Sequence, residues 1–301
     1  KRGNIPRSEP PESRATLKNS FDWWDAAANG AAKAFRSAVI VNFGLAALAV
    51  VLAAVSLLLG DEKWVLVVAE VATICLLIAN TWYATRQKWQ ERWLESREVA
   101  EMLRVSILLR QVGIGRNVAD TPSASWSTRY VAAITRSVSP ESINLSHPQL
   151  VAEGVVAQVK SQADWNEANA RKMHLVAHRI ERFGELLFGA VLVLLIAWLW
   201  AWFSEPHLAK ASKYWLTTLT AGLPAIASAS YGVRIILDFE GTAQRAHNLS
   251  QALRAALVDW ARSKQDAASL QTIAIRSSDV MMGDVGSWRL LAEGRRLAVP
   301  G

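Results

Sequence analysis

Cysteine is almost missing: 301 residues contain one, Cys75. That excludes a disulfide scaffold and any metal site built from several thiolates. Charge is sparse as well, at 20% against the roughly 25% of an average soluble domain. With 51% hydrophobic residues the chain is not disordered. Tyrosine and phenylalanine are few, four and seven, yet there are fourteen tryptophans, the residue that favours membrane interfaces. Catalytic signatures are also lacking. No GxxxxGK[ST] or GxSxG occurs, and Gly113-x-Gly115 has neither a third glycine nor a preceding strand. His174 and His178 stand one helical turn apart, but Leu175 occupies the place of the glutamate in HExxH. These absences predict no enzyme, no metal and no cofactor. Cys75 lies in an apolar run and reads as a small apolar residue.

What is present is four apolar runs, at 37–59, 64–84, 186–203 and 214–237. At about 1.5 Å per residue such runs match a hydrocarbon core of about 30 Å, with the 18 residues of 186–203 at the short end of the spanning range. Trp64, Trp82, Trp198, Trp200, Trp202 and Trp215 flank the runs as interface anchors. Of 33 lysines and arginines, 29 lie in 1–36, 85–185 and 238–301. The positive-inside rule makes those segments cytoplasmic and the turns at 60–63 and 204–213 external. The net charge of +7 therefore reads as orientation signal and contact with anionic membrane lipids, not as a nucleic-acid site. The opening KRGNIPRSEPPESR, without Met, reads as a linker from a preceding domain or as a disordered terminus.

A shift of 150 residues lays the second pair of runs on the first. The helix leaving each pair then carries one register of packing residues: Trp89, Trp93, Ser96, Ala100, Leu103 and Ile107, against Phe239, Ala243, Ala246, Ser250, Leu253 and Leu257. The alternating steps of four and three mark a helix seam, and the two exit helices are expected to continue spans two and four without a break. Trp89, Trp93, Leu103, Ile107, Phe239, Leu253 and Leu257 are the packing and gating candidates. The other faces of the first exit helix are charged, with Glu91, Arg92, Glu95, Arg97, Glu98 and Glu101. Both copies have one orientation, a parallel repeat.

Polar residues inside the spans are the candidate conduit. Glu70, Thr73 and Thr81 share a region of the second span, and Thr217, Thr220 and Ser228 a face of the fourth. An ionised carboxylate in lipid is costly, so Glu70 is expected to face a bundle interior or water, to sit neutral, to bond a neighbouring helix or to snorkel outward. If the spans conduct, several copies of the chain surround the path, because four spans are few for one pore. Asn42 is the strong polar residue of the first span.

The stretch DWNEANARKMHLVAHRIERFGELLF (164–188) resembles the helix leading into the spans of the SLATT families, the SMODS- and SLOG-associating two-transmembrane effector domains of prokaryotic conflict systems. WQERWLESREVAEMLR (89–104) and DFEGTAQRAHNLSQALR (238–254) are similar to the helix following the hairpin there, and DVMMGDVGSWRLLAEGRRL (279–297) to the tail of a subgroup. The resemblance covers about 20–301 as two tandem units. It implies a membrane effector that forms pores or disrupts membranes. It also implies a nucleotide-type ligand, sensed by a SLOG-type domain that this chain does not contain.

The expected fold is all-α, with four transmembrane helices in two tandem hairpins, each followed by a long amphipathic cytoplasmic helix. The expected organisation is a linker at 1–19, a first unit at 20–112, a connector at 113–162 and a second unit at 163–301. Within these, Ser125–Ser137 and Pro148–Gln162 are expected as short helices, Gln271–Arg276 as an extended piece and Met281–Leu297 as a helix. The expected place is the bacterial inner membrane, with both termini cytoplasmic. The expected role is a homo-oligomeric pore-forming module of an antiviral defence protein. The alternatives are a small channel or transporter without that role, and a non-conducting anchor or scaffold.

Overall fold

The computed structural model describes residues 17–58, 63–115, 125–137, 148–204, 207 and 212–293. Eight α-helices cover them: α1 Leu17–Ser56, α2 Lys63–Arg86, α3 Trp89–Gln111, α4 Trp126–Ser137, α5 Pro148–Ser204, α6 Lys213–Leu237, α7 Phe239–Arg262 and α8 Ala267–Glu293. No strand occurs among the described residues. Four stretches are long and apolar enough to cross a membrane, and they lie in α1, α2, α5 and α6, the pattern of a multi-pass membrane protein. The linker expected at 1–19 lies outside the described residues up to position 16, as do positions 60–62 of the first turn, most of the second turn and everything beyond 293.

Local chemistry sets several helix ends. Ser125 caps α4, its Oγ accepting from the Thr128 N–H. Asp266 caps α8, accepting from the Ser269 N–H at 2.8 Å and from its hydroxyl. Those bonds hold the Asp266 carboxyl below its ordinary pKa. Gly113, at φ 73, closes α3 in a Schellman arrangement: Ile114 N–H donates to Leu109 O and Gly113 N–H to Arg110 O. Glycine is required there because a Cβ disfavours that left-handed conformation.

Three expectations are corrected. Gln271–Arg276 is not extended but part of α8. Its β-branched residues imitate a strand, yet Leu270, Ile273, Ala274, Ser277, Ser278, Met281 and Val285 are buried at helical spacing. Pro148–Gln162 is not a separate helix but the first part of the 57-residue α5. Proline sits at its first position, where the missing N–H costs nothing. The exit helices do not continue spans two and four. Lys88 (φ 51) and Asp238 (φ 47) break the chain between α2 and α3 and between α6 and α7.

Packing divides the described chain into two units that cut across the two sequence copies. One takes residues 17–34, 89–172 and 241–293 and holds the polar helices. The other takes 35–88 and 173–240 and holds all four apolar runs. In the polar unit α3 packs against α8 and α4. One core joins Val105, Leu108, Leu109, Val112, Val155, Val159 and Ala163 to Leu253, Leu270, Ile273 and Met281. A second joins Leu17, Val99, Met102, Leu103 and Val131. Burying a Leu or Val side chain contributes roughly 1.5–3 kcal/mol.

In the apolar unit Thr218 Oγ1 of α6 donates to Ala54 O of α1 at 2.9 Å. A Cβ on Gly222 would stand 3.5 Å from Val51, an ordinary contact. At Gly232 a Cβ would lie 2.1 Å from the Phe43 ring, so only glycine seats that ring there. The run in α5 is 6% buried, against 28% for the run in α1. Its least exposed residues are Leu187, Val191, Leu194, Trp198 and Ala201, steps of four, three, four and three along one seam.

Candidate functional site

Polar side chains of the apolar unit form two groups. In the first, Asn42 is buried on α1 and donates from Nδ2 to Thr81 Oγ1 of α2 at 2.7 Å. Asn80 Nδ2 donates to Asn42 Oδ1 at 2.7 Å and to Ala38 O at 3.1 Å. The Thr81 hydroxyl donates in turn to Leu77 O at 3.0 Å. These bonds clasp α1 to α2, because a polar side chain in hydrocarbon finds a protein partner or pays desolvation.

The second group is Glu70, half-buried on α2, one turn from buried Thr73 and two from buried Leu77. Thr73 Oγ1 donates to Ala69 O at 2.8 Å. On α6 Thr217 and Ser228 are exposed and Thr220 is half-buried. The Thr217 and Thr220 hydroxyls are turned back onto Lys213 O and Leu216 O. Pro224 takes away the helix bond that the Thr220 carbonyl would accept. The anchors Trp64, Trp82, Trp200, Trp202 and Trp215 are exposed, while Trp198 is half-buried and stacks at 5.4 Å on Trp202. Arg86 lies 5.2 Å over the Trp82 ring.

An apolar groove of about 430 Å³ runs between α1 and α6. Its lining includes Phe43, Gly44, Val51, Ile226 and Val233. The one hydroxyl on it, Ser230 Oγ, is bonded to Ile226 O. No titratable group lines it, so it supports no acid–base chemistry.

The polar unit contains an ionic cluster on the charged faces of α3. Glu101 is buried on α3 between two arginines of the same helix. Arg97 reaches its Oε1 at 2.5 Å, and Arg104 Nη1 donates to both carboxylate oxygens at 2.9 Å. Asp25 of α1 accepts from Arg97 at 3.2 Å, Gln162 of α5 accepts from Arg104 at 3.2 Å, and the Phe21 ring lies 5.0 Å below the Arg104 guanidinium. Burial lowers the Arg104 pKa, and Glu101 opposes that shift. Asp284 of α8 belongs to the same surroundings. Burial raises its carboxyl pKa, with Arg245 and Arg97 opposing and Glu101 adding to the rise.

The second copy repeats this scheme in weaker form. Its exit helix α7 carries His247 and Arg254 where α3 carries Arg97 and Arg104, and Gln251 where α3 carries Glu101. His247 Nδ1 meets Glu167 at 3.2 Å and Arg254 donates to Asp164 at 2.9 Å, both on α5. The packing register also repeats. Ser96 and Ala246, Ala100 and Ser250, Leu103 and Leu253 are all buried, and Ser250 Oγ donates to Ala163 O. Trp93, Ile107, Phe239 and Leu257 are half-buried, as is Trp89. His174 faces Glu240 at 3.4 Å, both exposed, and no cluster of three metal-type ligands occurs among the described residues.

Sequence reasoning missed Thr218, the α6 threonine whose hydroxyl bonds across to α1, and chose its neighbours Thr217 and Thr220. The usable signal was the small-residue step Thr218-x-x-x-Gly222, which lets backbones approach. No protein-family model, curated protein or solved structure matches the chain.

Proposed function

We propose that the chain is the membrane module of a prokaryotic immune protein, a SLATT-like effector that opens a pore. In this reading two tandem hairpins cross the bacterial inner membrane, each followed by an amphipathic cytoplasmic helix, with both termini inside. Several copies assemble around the path. A cytoplasmic domain outside this chain senses a nucleotide-type ligand and gates it. The observation that carries the reading is Glu70: a carboxylate inside an apolar run, half-buried, on one helix face with buried Thr73. Such a group is costly in lipid and is kept where it meets an aqueous path or a partner helix. A ring of these carboxylates, one per chain, selects cations.

Purified chain in planar lipid bilayers tests this. Cation-selective current steps that lose selectivity in Glu70→Gln are expected. Current steps that keep their cation selectivity in Glu70→Gln overturn the reading.

The Asn42–Asn80–Thr81 clasp favours a second reading. It spends polar groups on holding spans together, which is what a non-conducting anchor needs. A monomeric chain in mild detergent supports that reading.

A further inference from the structure

The groove between α1 and α6 lies wholly inside the apolar unit. Its α1 wall runs from Ile40 through Gly44 and Leu48 to Val51, about 16 Å of helix and about half of a 30 Å hydrocarbon core, the depth of one leaflet. Ile40 and Leu48 are 53% and 45% exposed, so the groove opens sideways to the surroundings of the unit. Its floor is unfilled at Gly44, where a Cβ would meet nothing within 4 Å. Glycine is a poor residue for a helix interior, and no close neighbour demands it at this position. Phe43 opposes Gly232 and Ala54 opposes Thr218, so α1 and α6 run antiparallel. Both walls continue into arginine at the same end. In steps of four, Leu48, Gly44 and Ile40 lead to Arg36, and Ile226 and Ser230 lead to Arg234. Arg36 is exposed. Arg234 is half-buried and meets Glu181 of α5 at 3.4 Å, which takes only part of a guanidinium with five N–H donors.

We infer that the groove binds one anionic phospholipid, with an acyl chain laid along Gly44 and the phosphate held by Arg36 and Arg234. The lining asks for an apolar occupant, because the Ser230 hydroxyl is already bonded to Ile226 O and a polar group would find no partner inside. Spread over that length, 430 Å³ gives a cross-section of about 27 Å², whereas a helix about 10 Å across needs about 80 Å². The groove therefore admits a hydrocarbon chain and not a helix of a second copy. Long arginine side chains carry their heads outward to headgroup level, and the guanidinium fork matches phosphate oxygens. Basic sites between membrane helices hold anionic headgroups in this way. The inference needs the apolar helices to lie in lipid, but it does not depend on whether they conduct.

Native mass spectrometry of the full chain in mild detergent tests it, with phosphatidylglycerol or phosphatidylcholine of identical acyl chains added in turn. The parent should retain a single phosphatidylglycerol about tenfold more tightly than phosphatidylcholine. Arg36→Gln combined with Arg234→Gln should bring that ratio close to one. Gly44→Leu should weaken the binding of both lipids several-fold by filling the floor of the groove. Its melting temperature without added lipid should stay at or above the parent's, because leucine is the better helix former and enters open space. This variant decides the matter even where the double arginine variant fails to fold. Glycerol phosphate, the headgroup chemistry without chains, should not displace the lipid. Equal retention of the two lipids by the parent, undiminished phosphatidylglycerol binding in Gly44→Leu, or displacement by glycerol phosphate would overturn the inference.

Discussion

Leu103 and Leu253, 150 positions apart, are both fully buried, each at the matching point of its exit helix but in a different core of the polar unit. Around them the register repeats as well: Ser106 and Ala256, one turn further on, are buried too. The duplication is thus a repeat of packing, not of composition alone. It also shows that these leucines are interior residues of the unit, not a surface seam waiting for another chain. Leu103→Ala and Leu253→Ala should each cost about 2–5 kcal/mol. Thermal unfolding in detergent reads this as a Tm lowered by several degrees, and an unchanged Tm contradicts the assigned burial.

The ionic cluster and its counterpart should behave differently. Glu101→Gln leaves Arg97 and Arg104 without their central carboxylate in a buried setting, a loss of about 3–5 kcal/mol. Arg254→Ala removes an ion pair whose side chains are about half-exposed, 53% and 54%. Solvent screening keeps that loss below about 1 kcal/mol. Comparing the two melting temperatures checks the contrast.

In the apolar unit the Asn42–Asn80 bond should show coupling. Asn42→Leu and Asn80→Leu are expected to be non-additive, with an interaction energy of about 0.6–1.7 kcal/mol in a double-mutant cycle. Strict additivity means that the two side chains do not meet in the bilayer.

Asp284 gives a pH dependence with a definite sign. Burial raises its folded pKa, so the native chain holds the proton more tightly than the unfolded one. Its stabilising contribution is complete below the unfolded value of 3.8 and is lost as pH rises through the folded value. Asp284→Asn should therefore raise the Tm at pH 7 and flatten the fall in Tm on going upward from pH 4. A lower Tm at pH 7 would show that the ionised carboxylate is the favoured form.

Much of this architecture is legible in the sequence, for identifiable reasons. Four apolar runs have about the length of a bilayer crossing, and α3 and α7 begin at Trp89 and Phe239, where the seam pattern begins. The shift of 150 aligned not only apolar residues but also Leu103 with Leu253, both fully buried. What escaped the reading depends on tertiary context. Glu101 looks like a surface charge until Arg97 and Arg104 fold over it from neighbouring turns. Thr272, Ile273 and Ile275 have strand propensity, and only the burial stripe of α8 shows that packing overrides it. The breaks at Lys88 and Asp238 carry no glycine or proline, so no local signal marks them.

We propose conduction by the four apolar helices along a path set by Glu70. The most direct test is membrane potential in bacterial cells expressing the chain, with Glu70→Ala beside it at matched membrane levels. The account predicts rapid depolarisation by the parent and a marked weakening of it in the variant. Depolarisation of equal speed in both would contradict it.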